Sequence, residues 1–129
     1  MKAFARHLTR VWTDRSGGAA IEFALVLPAF LMLVVGGLFT AQLLFVESSL
    51  QYAVEEGARC ASIKTTVCSD SASTLSYVQS HFDAAGSATP TFTSTTAACG
   101  HSVVGTVTFA LDTGLTKIDV PLSASACFP

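Results

Sequence analysis

Residues 17–46 read GGAAIEFALVLPAFLMLVVGGLFTAQLLFV, and the last 24 of them, Phe23 to Val46, contain no charged residue. Fifteen of those 24 are Leu, Val or Phe, which together favour membrane insertion by about 4 to 9 kcal/mol. Glu22 at the edge opposes insertion by at most about 3 kcal/mol. A helix of this length measures about 36 Å and crosses a hydrocarbon core of about 30 Å. The stretch therefore predicts one transmembrane helix, over residues 18–46.

The charges on either side of this stretch predict its orientation. Four of the seven Lys and Arg residues lie in the first fifteen positions beside one acidic residue, whereas seven acidic and three basic residues follow Val46. Because basic flanks stay in the cytoplasm, we expect residues 1–17 to be a cytoplasmic leader and the C-terminal half to be exported. The net charge of −2 gives no sign of a nucleic-acid partner.

A secretory signal peptide is the alternative interpretation of a basic segment followed by an apolar one. Signal peptides have an apolar region of about 7 to 15 residues and a small-residue cleavage site after it. Here the apolar region is longer, and no such site follows Val46. We therefore expect the segment to remain as an anchor.

Small residues cluster where the charged sequence gives way to the apolar one, in residues 15–23 (RSGGAAIEF). Glycine adopts extended conformations at little cost, which suits a stretch that must enter a protease cleft. Glu22 is the unusual residue, because a carboxylate beside lipid usually has a partner. The simpler alternative is that the helix dipole favours it by about 0.3 to 1 kcal/mol.

This junction resembles that of type IV prepilins, which carry a short basic leader, a Gly before the cleaved bond and a Glu as fifth residue of the mature chain. Taking Glu22 as fifth places the cleavage between Gly17 and Gly18, and Phe23 matches the aromatic residue that follows in the Tad (tight adherence, Flp) branch. Residues 24–28 (ALVLP) and 52–59 (YAVEEGAR) resemble segments of TadE-like and TadF-like pseudopilins. The chain is longer than the major Flp pilin, so the resemblance is to a minor pseudopilin of either subtype.

The resemblance implies a bacterial inner-membrane protein with a periplasmic C-terminal domain that enters, or primes, an extracellular pilus. Its partners would be a prepilin peptidase, other pilins and pseudopilins, and the Tad assembly platform. It implies no small-molecule substrate and no cofactor. Residues that would direct processing are Gly17, Gly18, Glu22 and Phe23.

Small residues four positions apart allow transmembrane helices to approach closely. Two such pairs are Ala20 with Ala24 and Gly37 with Ala41. Pro28 is tolerated in a membrane helix but predicts a kink or loosened turn. The residues assigned to an assembly surface on the helix are Ala20, Glu22, Ala24, Pro28, Gly37 and Ala41.

After the apolar stretch, the pattern predicts an α+β fold. Residues 47–63 form an amphipathic continuation of the helix, and residues 64–129 a small exported domain. A second helix is expected over Ala72–Ala85, capped by one of residues 69–71. Alternating apolar residues then predict two or three antiparallel strands, in 91–93, 102–111 and 117–122, with a turn at 112–114. The apolar stripe of the helical continuation consists of Leu50, Val54, Ala58 and Ala61, opposite Glu47, Gln51, Glu55 and Arg59.

All four cysteines lie in the half expected to be exported, where disulfides are the default. Of three possible connectivities, we favour Cys60–Cys68 and Cys99–Cys127, which would staple a domain too small to be stable by burial alone. Free thiols, or a zinc site with His81 or His101, are the alternatives. Because there is no Cys-x-x-Cys and no pair of histidines, no metal is expected.

No nucleophile–base pair, phosphate loop or metalloprotease motif is present in the sequence, so we do not expect an enzyme. The main hypothesis is a minor pseudopilin. The alternative is a membrane-anchored periplasmic binding module that is never cleaved.

Overall fold

The computed structural model describes residues 17–83, 89–112, 114 and 116–129. The fold is α+β with an antiparallel sheet in the order β1-β2-β3, which confirms the predicted class. The chain divides into two compact units, Met1–Leu38 and Phe39–Pro129. The elements are α1 (Gly18–Ile63), α2 (Ser71–His81), β1 (Thr91–Ala97), β2 (Gly100–Asp112) and β3 (Lys117–Phe128).

The described part of the first unit is the N-terminal portion of α1, which is apolar on all sides from Phe23 onward. Its large side chains, such as Phe23, Leu25 and Met32, are exposed, and helical structure continues through Pro28. A helix that is hydrophobic all round belongs in a protein core or a membrane. Within the described residues, α1 alone is long and apolar enough to cross a membrane.

The second unit is built on the C-terminal portion of α1. The predicted stripe of Leu50, Val54, Ala58 and Ala61 is buried, and Val46, Ala53, Gly57 and Cys60 are buried with it. The four residues predicted for the opposite side, from Glu47 to Arg59, are exposed. The 3.6-residue period of the sequence thus predicts the buried face of this helix correctly.

The sheet buries one face against α1 and exposes the other. Burial alternates along β2, where Val103, Val107 and Phe109 are buried and the residues between them, apart from Gly105, are exposed. Gly105 pairs with Ala124 of β3, and a Cβ atom at Gly105 would lie 3.0 Å from Leu50 Cδ1. Alternate residues of a strand face opposite sides, so the inward set forms one core with the helix.

Helix α2 ends earlier than predicted. It stops at His81, and Phe82 is extended with φ −87° and ψ 118°, so the expectation that Phe82 lies within the helix is wrong. The extended backbone turns the Phe82 ring edge-on to Phe92 of β1, with centroids 5.8 Å apart, an arrangement that aromatic pairs favour. The predicted end at Ala85 lies outside the described residues.

The strands are longer than predicted, and β3 most of all. It continues past Leu122 to Phe128 in unbroken pairing with β2. Its last six residues, SASACF, have only one residue with high strand propensity, so their pattern gives little strand signal. Of the predicted turn at 112–114, residue 113 lies outside the described residues. The Gly114 backbone has φ +79°, and its N–H donates to Asp112 Oδ1 at 2.9 Å.

Asp70 caps α2 through a reciprocal pair of hydrogen bonds. Its carboxylate accepts from the Ser73 backbone N–H at 2.7 Å, and the Asp70 N–H donates to Ser73 Oγ at 3.1 Å. The backbone N–H of Ser73 holds the pKa of the Asp70 carboxyl below its ordinary value of 3.8. This cap replaces the hydrogen bonds that the first helical turn lacks.

We expect Asp70→Ala to lower the unfolding midpoint of the full chain in detergent at neutral pH, whereas Asp70→Asn, which can still cap, stays close to the unmodified protein. The pKa of the Asp70 carboxyl is lower in the folded state than in the unfolded state. The carboxylate therefore stabilises the fold at a pH above the unfolded-state pKa, and this contribution is lost as the pH falls through the folded-state pKa. The difference in unfolding midpoint between Asp70→Ala and the unmodified protein should therefore become smaller in acid. Thermal unfolding followed by circular dichroism measures this, and a gap that widens in acid would contradict it.

Candidate processing and assembly segment

The junction predicted for cleavage lies where α1 begins. Gly18 is the first residue of the helix and Gly17 precedes it. A Cβ atom built at either glycine would meet no other atom within 4 Å. Packing among the described residues therefore does not account for glycine at these positions.

Glu22 is exposed on α1, one turn after Gly18. No acidic residue lies in the first turn of the helix, and the effect of the helix dipole falls off beyond that turn. The Glu22 carboxylate forms no ion pair or side-chain hydrogen bond with any residue of 17–83, 89–112, 114 or 116–129. The dipole is thus a weak explanation for this residue, and a partner within the described chain is absent.

The assembly residues proposed from the sequence do not form one continuous stripe. Ala20, Ala24 and Pro28 follow one another at intervals of one turn. Glu22 is rotated about 200° from Ala20, and Gly37 about 220° from Ala24, at about 100° per residue. All six residues of the set are exposed, so the helix offers separate small-residue patches on different sides.

The four cysteines form two disulfides, in the pairing that the sequence analysis favours. Cys60–Cys68 links the last turns of α1 to the following loop, with Cα atoms 5.7 Å apart. Cys99–Cys127 links the β1–β2 turn to the end of β3, with Cα atoms 6.2 Å apart. In the described part of the chain no three His, Cys, Asp or Glu side chains are grouped as metal ligands.

The two histidines considered as zinc ligands make contacts of other kinds. His81 Nδ1 is 2.8 Å from the Tyr77 carbonyl oxygen, and the two rings are 4.1 Å apart. Lys64 donates to the Tyr77 hydroxyl at 3.1 Å, and this bond raises the pKa of the lysine. The Lys64–Tyr77 hydrogen bond connects the residue that follows α1 with α2. His101 pairs with Phe128 within the sheet.

Residues 17–59 match the model of a protein family described as TadE-like protein. The N-terminal helix is TadE-like. This match confirms the resemblance drawn from the residues. Together with α1, which is long and apolar enough to cross a membrane, the match indicates membrane anchoring. No curated protein and no solved structure matches the chain.

The TadE-like match covers α1 up to Arg59, so it includes the junction and the helix but not the sheet. Within this matched segment, the role of Gly57 is not predicted from the sequence. A Cβ atom at Gly57 would overlap Cγ2 of Val78 on α2 and lie 3.6 Å from Val103 Cγ2 on β2. Glycine is required here because α2 approaches the helix backbone. The available signal was its position inside the apolar stripe, between Val54 and Ala58.

Proposed function

We propose that the chain is a minor pseudopilin that takes part in assembling a Tad/Flp-type pilus. A prepilin peptidase cleaves it between Gly17 and Gly18, and the mature protein assembles with other pilins and pseudopilins through its N-terminal helix. In this proposal the leader lies in the cytoplasm, α1 crosses the inner membrane, and the unit with the sheet lies in the periplasm. The Tad assembly platform is the further partner.

The observation that supports this proposal most is the position of Glu22. Its carboxylate is exposed, lies past the first turn, and has no partner among the described residues. Cleavage after Gly17 would create an α-amino group on Gly18, four residues before Glu22. That amine, on the same chain or a neighbouring one, would neutralise a charge that is otherwise costly near lipid.

Replacing Glu22 by Ala should reduce the recovery of other pilus subunits with this protein by at least about tenfold. The α-amino group of Gly18 would lose its partner, and an unpaired charge near lipid costs several kcal/mol. Co-purification from membranes of cells that produce the whole pilus system measures this. Glu47→Ala is the matched control, since Glu47 is exposed at the other end of the apolar stretch and should leave recovery unchanged. If Glu22→Ala left both processing and co-assembly intact, the role assigned to this carboxylate would be wrong.

A further inference from the structure

Helix α1 and strand β2 run in opposite directions within the unit Phe39–Pro129. Gly57 lies against Val103, and further back along the helix Leu50 lies against Gly105. Moving toward the start of the helix therefore means moving toward the end of β2. The turn between β2 and β3 consequently lies at the end of the sheet nearest Phe39, where the unit begins.

The burial of the helix agrees with this direction. Phe39 and Leu43 are half-buried, whereas Leu44 and Phe45 are exposed. Leu43 packs against the same core as Leu111, near the end of β2. These helix residues belong to the uncharged stretch that ends at Val46. The core of the sheet therefore overlaps the last turns of the apolar sequence.

An exposed apolar residue lies at the same end of the sheet. Ile118 pairs with Leu111 and is on the face that α1 covers elsewhere, yet 50% of it is exposed. Beside it, the exposed Lys117 ammonium lies 3.5 Å from the Asp112 carboxylate. An apolar side chain with a rim of polar and charged groups suits the boundary between headgroups and acyl chains.

We propose that this end of the sheet, defined as Leu111, Asp112, Lys117 and Ile118, rests on the lipid surface. The occupant is lipid because the helix residues at the start of this unit belong to the uncharged stretch. Leu44 and Phe45 are exposed there, and Leu43 of the same stretch packs on the core that Leu111 also contacts. A stretch of 24 residues exceeds the roughly 20 that span a hydrocarbon core, so it is long enough for its last turns to reach the interface. The proposal depends on anchoring by α1 and not on cleavage at Gly17.

Tryptophan quenching by lipid tests the proposal on the full chain. Trp12 is the only tryptophan in the sequence, so Trp12→Phe provides a silent background. Ile118→Trp is compared with Val67→Trp, a matched control because Val67 is 53% exposed and follows the opposite end of α1. Both proteins are reconstituted at low density in phosphatidylcholine vesicles with brominated acyl chains.

We expect the tryptophan at the Ile118 position to lose more emission to brominated lipid than the control and to emit at shorter wavelength. Equal quenching at both positions, or a blue shift only at high protein density, which indicates a second copy, would overturn the proposal. If Ile118→Trp does not fold, Lys117→Trp repeats the test at a side chain that is 77% exposed. The chain starting at Met1 and the chain starting at Gly18 should be quenched alike by brominated lipid. The intact mass therefore shows separately whether the processing proposal fails.

Discussion

Replacing Gly57 by Ala is expected to destabilise the domain of α1, α2 and the sheet by about 1 to 3 kcal/mol. At an exposed helix position, replacing Gly by Ala instead stabilises by about 1 kcal/mol. The sign of the change in unfolding free energy therefore shows whether position 57 is packed against α2 or exposed. The new methyl group would overlap Val78 Cγ2, and Val78 is fully buried, so it has little freedom to move away. Denaturant unfolding of the full chain in detergent, with disulfides intact, gives the free energy.

The matched control removes the atom that causes the overlap. Val78→Ala alone leaves a cavity and is destabilising. The double variant with Gly57→Ala should lose less stability than the sum of the losses in the two single variants, with a coupling of about 0.5 to 3 kcal/mol. An increase in stability for Gly57→Ala, or strict additivity of the pair, would show that α2 does not press on the helix at this point.

Removing the Cys99–Cys127 disulfide by changing both residues to Ala is expected to cost about 3 to 4 kcal/mol. The bond closes a separation of 28 residues, against 8 for Cys60–Cys68, and a longer loop loses more freedom when it is closed. Cys99 is exposed and Cys127 is half-buried, so the substitutions remove little packing. Nearly all of the loss should therefore come from the cross-link.

Hydrogen exchange locates the effect. Opening Cys99–Cys127 should increase amide exchange in the last residues of β3, where Ser62 Oγ donates to the Phe128 carbonyl at 3.0 Å. Opening Cys60–Cys68 should instead affect the end of α1 and the following loop. An unchanged unfolding midpoint after removal of Cys99–Cys127 would mean that strand pairing alone holds the C-terminus.

The long helix could be predicted because its signals are local and strong. An uncharged stretch, unequal flanking charges and a stripe of 3.6-residue period each depend only on neighbouring positions. The same holds for the alternation in β2, from Val103 to Phe109, which predicts one buried face. The junction residues Gly17 to Phe23 could be selected for the same reason, since the features that distinguish them lie within one short segment.

The features that could not be predicted from the sequence depend on contacts between residues distant along the chain. The need for glycine at position 57 comes from Val78. The end of α2 at His81 coincides with the packing of Phe82 on Phe92. The second half of β3 has little strand propensity of its own and is held by pairing with β2 and by a disulfide. Tertiary packing overrides local preference at each of these places.

The central claim is that the chain is cut between Gly17 and Gly18, and the mass of the mature protein tests it most directly. The protein is isolated from membranes of cells that contain the prepilin peptidase, and its intact mass and N-terminal sequence are determined. We expect a chain that begins at Gly18, with Glu22 as its fifth residue. A chain that still begins at Met1 in those cells would contradict it and would favour an uncleaved, membrane-anchored periplasmic binding module.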